Sequence, residues 1–310
     1  MENMLHLSAS PHIHSGRSTQ AIMRDVLIAL APATVAGTVI FGLRSLLVIA
    51  VCVLTTVLLE FLFNYIVKKE QTVGDLSAAV TGLLLGLNLP ANVPIWQCVI
   101  GGAFAILLVK CLFGGIGFNL VNPAITARVF MLIAFPAISK NIAFPTIVDT
   151  ASSATPLVDI AGGKLPAISD LLFGTTGGAI GETCAIALLV GFVYLIVRRV
   201  ITWHIPASFV GTVFLASLFM EGFSVMTALS LILSGGLLLG AIFMATDYVT
   251  SPATPLGKIV FGVGAGLLTF MIRYFATYPE GASFAILIMN ILTPYIEKLT
   301  ARKIFGGNKA

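Results

Sequence analysis

Charged side chains are scarce in this sequence. Only 10% of the 310 residues are Asp, Glu, Lys or Arg, whereas 58% are hydrophobic, and the mean hydropathy is +1.04. Because a soluble domain carries charge on roughly a quarter of its residues, these charges are too few to cover a water-exposed surface. Lipid must therefore cover much of the protein, and the composition predicts one polytopic membrane domain without an internal linker.

The sequence also lacks the motifs of metal-binding and nucleotide-binding proteins. Its four cysteines lie in or beside apolar runs and have no metal-ligand spacing, so we interpret them as small buried hydrophobic residues. It contains no phosphate-binding loop, GxGxxG helix start or nucleophile triad, and we expect no bound NAD or nucleotide. The net charge of +4 is spread between apolar segments, which argues against a nucleic acid partner.

Long apolar segments dominate the chain instead. A helix needs about 20 apolar residues to span a bilayer, and by this rule we predict an all-α integral membrane protein with about ten transmembrane helices. The third and fifth segments are short, rich in Gly and Asn, and bounded by Pro90 and Pro136, which is typical of segments that line a site inside a bundle. The predicted spans are residues 26–43, 45–67, 74–90, 95–113, 122–138, 179–197, 205–221, 225–245, 257–275 and 282–299.

The distribution of Lys and Arg predicts the orientation of the chain. Among the basic residues between the predicted spans, only Arg44, Lys140, Lys164 and Arg273 fall on the side opposite the N terminus. Cytoplasmic loops carry an excess of Lys and Arg, so both termini are predicted to be cytoplasmic. The longest hydrophilic connection, residues 139–178, is then predicted to lie outside the cell.

The two halves of the sequence are similar. The run Gly-Leu-Leu-Leu-Gly at 82–86 recurs at 236–240, and a basic residue, Lys110 or Arg273, ends a later Gly-rich helix in each half. Five spans per half predict two inverted five-helix repeats, a fold class whose sites lie between the repeats. The predicted divisions are a cytoplasmic tail (1–25), a first transmembrane repeat (26–138), an extracytoplasmic loop (139–178), a second transmembrane repeat (179–300) and a cytoplasmic tail (301–310).

Ionisable residues inside the predicted spans are candidates for pairing or function, because a charge in hydrocarbon costs several kcal/mol. They are Glu60, Lys110, Arg128 and Asp247. A structural ion pair is the favoured role for each, and Lys68 is a possible partner for Glu60. Arg128 is also a candidate to hold a bound cofactor or the carboxylate of another subunit.

A run of small and hydroxyl residues, Asp149-Thr-Ala-Ser-Ser-Ala-Thr-Pro-Leu157, lies in the predicted outside loop. Pro156 disfavours helix at Thr155, which predicts an extended segment with an accessible Thr155 hydroxyl. An ordinary turn is the alternative interpretation.

Five motifs follow one another along the chain: SPH at 10–12, GGIGFNLVNPA at 114–124, SSAT at 152–155, ATDYVTSP at 245–252 and YPEG at 278–281. In this order they resemble the motifs of the RnfD/NqrB family, the membrane subunits of the Rnf complex and of the sodium-translocating NADH:quinone reductase. Ser153 stands where that family usually has Gly, and Tyr248 stands where it usually has Pro. The chain lacks the long N-terminal extension of the NqrB relatives and looks more like the RnfD relatives.

The resemblance implies a covalent FMN in the outside loop. In the family, the Thr of the S(T)GAT motif carries FMN through a phosphoester bond to its hydroxyl, so Thr155 is the expected attachment residue. Ser152, Ser153 and Ala154 complete the motif. The attaching enzyme of the family acts outside the cytoplasm, in agreement with the orientation predicted from charge.

The resemblance also implies a second, non-covalent flavin. In the NqrB relatives a riboflavin lies near the asparagines that match Asn119 and Asn122. Their amides can pair with the isoalloxazine or ribityl edge of a flavin. Capping of a helix that begins at Pro123 is an equally good interpretation of these residues.

The implied protein is a subunit of a translocase-type ferredoxin:NAD oxidoreductase in the inner (plasma) membrane, without catalytic activity in isolation. It would relay electrons through FMN and riboflavin, coupled to Na⁺ or H⁺ movement. Its implied partners are the flavin-bearing G-type, membrane A- and E-type, NAD-binding C-type and ferredoxin-like B-type subunits, together with membrane lipid. A solute channel or transporter of inverted-repeat fold and a membrane scaffold for redox subunits are the alternatives, and neither would carry a flavin.

Overall fold

A computed structural model of the protein describes residues 18–140, 143–145, 155–163, 165–276 and 281–301, which are almost entirely helical. Within these ranges one isolated antiparallel bridge joins Ala143 to Gly178. The helices are α1 (Thr19–Phe41), α2 (Leu43–Val67), α3 (Ser77–Leu87), α4 (Ile95–Ala103, continued by π-helical Phe104–Cys111), α5 (Pro123–Ala134), α6 (Ala137–Lys140), α7 (Pro156–Ala161), α8 (Ile168–Phe173), α9 (Ala185–Val197), α10 (His204–Met220), α11 (Val225–Leu233), α12 (Leu237–Leu239, continued by π-helical Gly240–Met244), α13 (Pro255–Phe275) and α14 (Ala282–Thr300).

Four helices, α1, α2, α13 and α14, are long and apolar enough to cross a bilayer. The shortest has 19 residues, which at 1.5 Å per residue gives about 28 Å, close to the roughly 30 Å hydrocarbon core. The broken pair α11–α12 qualifies as a fifth span. The chain is therefore a multi-pass membrane protein, as predicted, and the apolar faces of these helices meet lipid.

The remaining predicted spans contain shorter helices. Five apolar helices, α3, α4 with its π-helical continuation, α5, α9 and α10, have only 10–17 residues. The third and fifth predicted segments are short as expected, because α3 ends at Leu87 shortly before Pro90 and α5 ends at Ala134 before Pro136. Ten full spans and an inverted repeat stay predictions.

Glycine allows two pairs of helices to pack backbone against backbone. On α3, a Cβ added to Gly82 would stand 2.7 Å from Val53 Cα of α2. On α13, a Cβ added to Gly266 would stand 2.9 Å from the carbonyl oxygen of Phe209 in α10. Small residues at such contacts let membrane helices approach closely and gain van der Waals contact.

A buried ion pair joins α2 to the end of the α4 segment. Lys110 Nζ lies 2.7 Å from Glu60 Oε2, and each side chain is only 2% exposed. The suggested pairing of Glu60 with Lys68 is therefore wrong. Lys68 caps the C-terminal end of α2 in the left-handed conformation and is exposed, whereas the packing of α2 against the α4 segment brings Lys110 alongside Glu60.

Candidate functional site

A cavity of about 460 Å³ lies between the N-terminal part of α1, the helix α3, the loop before α5 and the loop after α12. This volume is within the range of about 300–1,000 Å³ that small-molecule sites occupy. Most of its lining is apolar. The polar lining side chains include Thr81, Lys110, Asn119, Asn122, Thr246 and Asp247. The third and fifth predicted segments thus meet at one cavity, as their composition indicated.

A glycine-rich loop forms one wall of the cavity. Gly114, Gly115 and Gly117 have φ angles of 118°, 101° and 91°, a region that L residues with a Cβ rarely occupy. This backbone carries the chain to Asn119, whose Oδ1 is buried without a hydrogen-bond partner in the described part of the chain. A buried unpaired acceptor costs about 1–3 kcal/mol, so Asn119 offers an acceptor to a donor bound in the cavity.

Asn122 lines the same cavity but has structural bonds of its own. Its Oδ1 accepts hydrogen bonds from the backbone N–H groups of Ala124 (3.0 Å) and Ile125 (3.3 Å), and its Nδ2 donates to the carbonyl oxygen of Met244 at 3.2 Å. Asn122 therefore caps α5, as the capping interpretation predicted, and ties this helix to the segment after α12. A ligand contact from its amide would have to share or replace these bonds.

Lys110 brings a positive charge to the cavity wall. Its Nζ donates to Ser77 Oγ at 2.5 Å and to Glu60 Oε2 at 2.7 Å. Glu60 Oε1 also accepts from Thr72 Oγ1 at 2.6 Å, and that hydroxyl oxygen accepts from Asn64 Nδ2 at 2.9 Å. This chain of polar groups holds the ammonium group in place and balances its charge.

Asp247 brings a carboxyl group to the loop side of the cavity. Its Oδ2 accepts a hydrogen bond from Thr250 Oγ1 at 3.1 Å. Burial raises the pKa of this carboxyl, while the hydrogen bonds from Thr250 and from the backbone N–H groups of Val249 and Tyr248 oppose the rise. Burial disfavours the ionised form, so protonation of Asp247 extends to higher pH than for an exposed aspartate.

Thr155 lies away from the cavity, at the start of the short helix α7. Its backbone is extended, with φ −61° and ψ 152°, and Pro156 is the first helical residue, as the sequence predicted. Thr155 Oγ1 makes no capping bond, and it is buried without a partner among the described residues. The predicted accessible hydroxyl is therefore wrong for this structure, because α7 packs against α11 and carries the start of the helix inward.

The other predicted site residues do not join the cavity. Arg128 is on α5, is 2% exposed and does not line the cavity. Ser152, Ser153 and Ala154 lie outside the described residues. The structure thus brings Asn119 and Asn122 together and leaves Thr155 and Arg128 elsewhere.

Two hydroxyl residues of the cavity were missed from the sequence. Ser77 and Thr81 are one turn apart on α3, both line the cavity, and Ser77 binds Lys110. Polar residues four apart on a short apolar helix share one face, and this spacing was the available signal.

Comparison with known proteins decides the family. A family model with the description "NQR2, RnfD, RnfE family" matches residues 6–306 of the chain. The chain belongs to this family. Two of the family motifs recognised in the sequence, GGIGFNLVNPA and ATDYVTSP, supply residues to the same cavity.

Three relatives within the NQR2, RnfD, RnfE family, each the D component of its complex, are similar over almost the whole chain. That of the Na(+)-translocating ferredoxin:NAD(+) oxidoreductase complex of Acetobacterium woodii is 43% identical, over 98% of this chain and 96% of the relative. That of the proton-translocating ferredoxin:NAD(+) oxidoreductase complex of Clostridium ljungdahlii is 37% identical, over 99% of this chain and 98% of the relative. That of the ion-translocating oxidoreductase complex of Aliivibrio salmonicida is 34% identical, over 98% of this chain and 99% of the relative.

Proposed function

We propose that this member of the NQR2, RnfD, RnfE family is the D-type membrane component of a ferredoxin:NAD⁺ oxidoreductase complex that moves Na⁺ or H⁺. The observation that carries the proposal is the 43% identity to such a component over 98% of the chain. In this function the protein relays electrons within the membrane. Oxidation of ferredoxin and reduction of NAD⁺ then belong to the B-type and C-type partners, and the G-, A- and E-type subunits complete the complex.

The cavity fits a non-covalent riboflavin. Its volume and its apolar lining with few polar groups suit a tricyclic ring, and the unpaired Asn119 Oδ1 offers an acceptor for a ring N–H or a ribityl hydroxyl. A bound flavin would supply the transfer of one or two electrons. The protein would orient the ring through Asn119 and exclude water with the apolar wall, while Lys110 places a positive charge at the edge of the cavity.

Thr155 fits the attachment of FMN through its hydroxyl. Because Oγ1 caps no helix and has no hydrogen-bond partner among the described residues, esterification would break no bond seen there. The extended backbone before Pro156 presents the hydroxyl at a chain position outside the helix. Atoms that cover Oγ1 in this structure have to move when the phosphoester forms.

The contacts of two basic residues support the proposed inverted repeats. Lys110, near the end of the α4 segment, donates to Ser77 at the start of α3. Arg273, in the last turn of α13, donates to the carbonyl oxygens of Leu231 and Ser234 at the end of α11. Each half thus uses a terminal base to hold a short or broken helix. With the excess of Lys and Arg on one side, this arrangement supports a plasma-membrane protein whose termini are cytoplasmic and whose Thr155 faces outward.

Mass spectrometry of the peptide spanning residues 141–164, prepared from the native complex, tests the proposal. We expect an added mass equal to FMN less water, lost in Thr155→Ala, with assembly of the complex unchanged. An unmodified peptide from a fully assembled, active complex would contradict the covalent flavin. If the chain also purifies without any partner subunit or extractable flavin, a channel or transporter becomes the better interpretation.

A further inference from the structure

The break between α11 and α12 is held open by an arginine. The two helices are bent by 66° at this break, and a helix end leaves carbonyl groups without intrahelical partners. Arg273 Nη1 donates to the carbonyl oxygen of Leu231 at 2.6 Å, and Arg273 Nη2 donates to that of Ser234 at 3.0 Å. The guanidinium group is therefore fixed at the break.

The short helix α7 meets the break at the same point. Leu157 of α7 is 7% exposed, whereas its neighbour Val158 is 47% exposed, so one side chain is docked and the other is free. A Cβ added to Gly235 would stand 2.7 Å from Leu157 Cδ1 and 3.2 Å from Arg273 Nη2. Leu157 and the guanidinium group therefore converge on Gly235, and the absence of a side chain there makes room for α7.

Thr155 is two residues before Leu157, at the N-terminal end of the same helix. Its Oγ1 is buried and without a partner among the described residues. A phosphodiester on that oxygen would carry a negative charge into a largely apolar protein, and such a charge needs a nearby cation. Arginine is the side chain best suited to a phosphate, because its planar group stays charged and offers several donors.

We propose that the α11–α12 break is the seat of the segment that carries the covalent flavin. Leu157 occupies the space over Gly235 and fixes α7, and Arg273 supplies the positive charge that offsets the phosphodiester on Thr155. The role of Arg273 rests on the proposed attachment of FMN, whereas the docking of Leu157 does not. Gly235, Leu157 and Arg273 are positioning residues: they set where the flavin-bearing segment lies, and they take no part in electron transfer themselves.

Thiol labelling tests the seat without any flavin. Leu157→Cys and Val158→Cys are made in Thr155→Ala protein, purified, and exposed to a maleimide, with labelling quantified on the peptide that contains the new cysteine. We expect Leu157→Cys to react at least about tenfold more slowly than Val158→Cys, since only local opening exposes it. Adding Gly235→Ala should remove this protection.

Gly222→Ala is the matched control for Gly235→Ala. Gly222 has a similar φ of 60° against 69° for Gly235, but a Cβ at Gly222 would meet nothing within 4 Å. Backbone strain is therefore similar, and only Gly235→Ala adds a clash with Leu157. Equal labelling of residues 157 and 158, or equal loss of protection with both glycine variants, would overturn the seat.

The charge of Arg273 is tested on the modified protein. In Arg273→Gln we expect the midpoint potential of the Thr155-linked flavin to move to a more negative value, because an uncompensated phosphodiester opposes the addition of an electron. Arg273→Lys should largely restore it, which a purely structural role in the helix break would not predict. An unchanged midpoint in Arg273→Gln, in protein that mass spectrometry shows to be modified, would refute the electrostatic role. A wholly unmodified Thr155 in the parent protein would instead refute the covalent flavin and leave the labelling result standing.

Discussion

The buried pair of Glu60 and Lys110 makes a sharp prediction about stability. Replacing Lys110 by Met leaves the Glu60 carboxylate inside the membrane domain with only the hydrogen bond from Thr72 Oγ1. Replacing Glu60 by Met leaves the Lys110 ammonium bonded to Ser77 alone. Both side chains are 2% exposed, so water cannot replace the lost partner.

The magnitude follows from the cost of an unpaired buried charge. Breaking one side of a buried ion pair costs about 3–5 kcal/mol, whereas replacing both partners by apolar residues is often neutral or stabilising. We therefore expect Glu60→Met and Lys110→Met each to lower the free energy of unfolding by about 3–5 kcal/mol, while the double variant stays near the parent. Independent sites would instead give a sum of about 6–10 kcal/mol, because effects at uncoupled sites add.

Unfolding in mixed micelles with increasing SDS, followed through the fluorescence of the two tryptophans, measures these differences. Asp25→Asn is a comparison variant, because the Arg198 partner of Asp25 is about half exposed and exposed pairs contribute about 0–1 kcal/mol. A double variant as unstable as the two single variants combined would refute the reasoning. Single variants as stable as the parent would refute it as well.

Three further predictions concern packing, the cavity and pH. Gly82→Ala should destabilise the protein by about 1–3 kcal/mol through overpacking, whereas Gly74→Ala, with nothing within 4 Å of its Cβ, should have little effect; the same unfolding assay compares them. Asn119→Leu should weaken binding of riboflavin about fivefold, since a neutral hydrogen bond contributes about 1 kcal/mol, and equilibrium dialysis against the exposed-neighbour variant Phe118→Leu checks this; equal affinities would contradict the assigned contact. The raised pKa of Asp247 means that the native state holds the proton more tightly than the unfolded state, so stability from this group is present at low pH and lost as the pH rises through the raised pKa; Asp247→Asn should flatten that fall, and an unchanged pH profile would contradict it.

The fold class and the short helices were predictable because they depend on composition and local chemistry. Too few charges to wet a surface indicates a membrane protein, and proline after a Gly- and Asn-rich segment indicates an early helix end. Asn119 and Asn122 were placed correctly near one another, since they belong to one loop and to the cap of α5. Pro156 likewise predicted the extended backbone at Thr155.

Features that depend on contacts between distant segments were not predictable. The partner of Glu60 is 50 residues away, so a search along one helix face found Lys68 instead. Burial of Thr155 Oγ1 follows from packing of α7 on α11, which no local pattern shows. Arg128 was chosen for its position inside a span, but its place on α5 is away from the cavity.

Spectroelectrochemical titration tests the claim that this chain carries electrons most directly. The protein is purified from cells that also contain the flavin-attaching enzyme, as the parent and as Thr155→Ala. The account predicts two flavin transitions in the parent, of which Thr155→Ala removes one and leaves the other. A correctly folded parent that shows no flavin absorbance and no redox transition would contradict it.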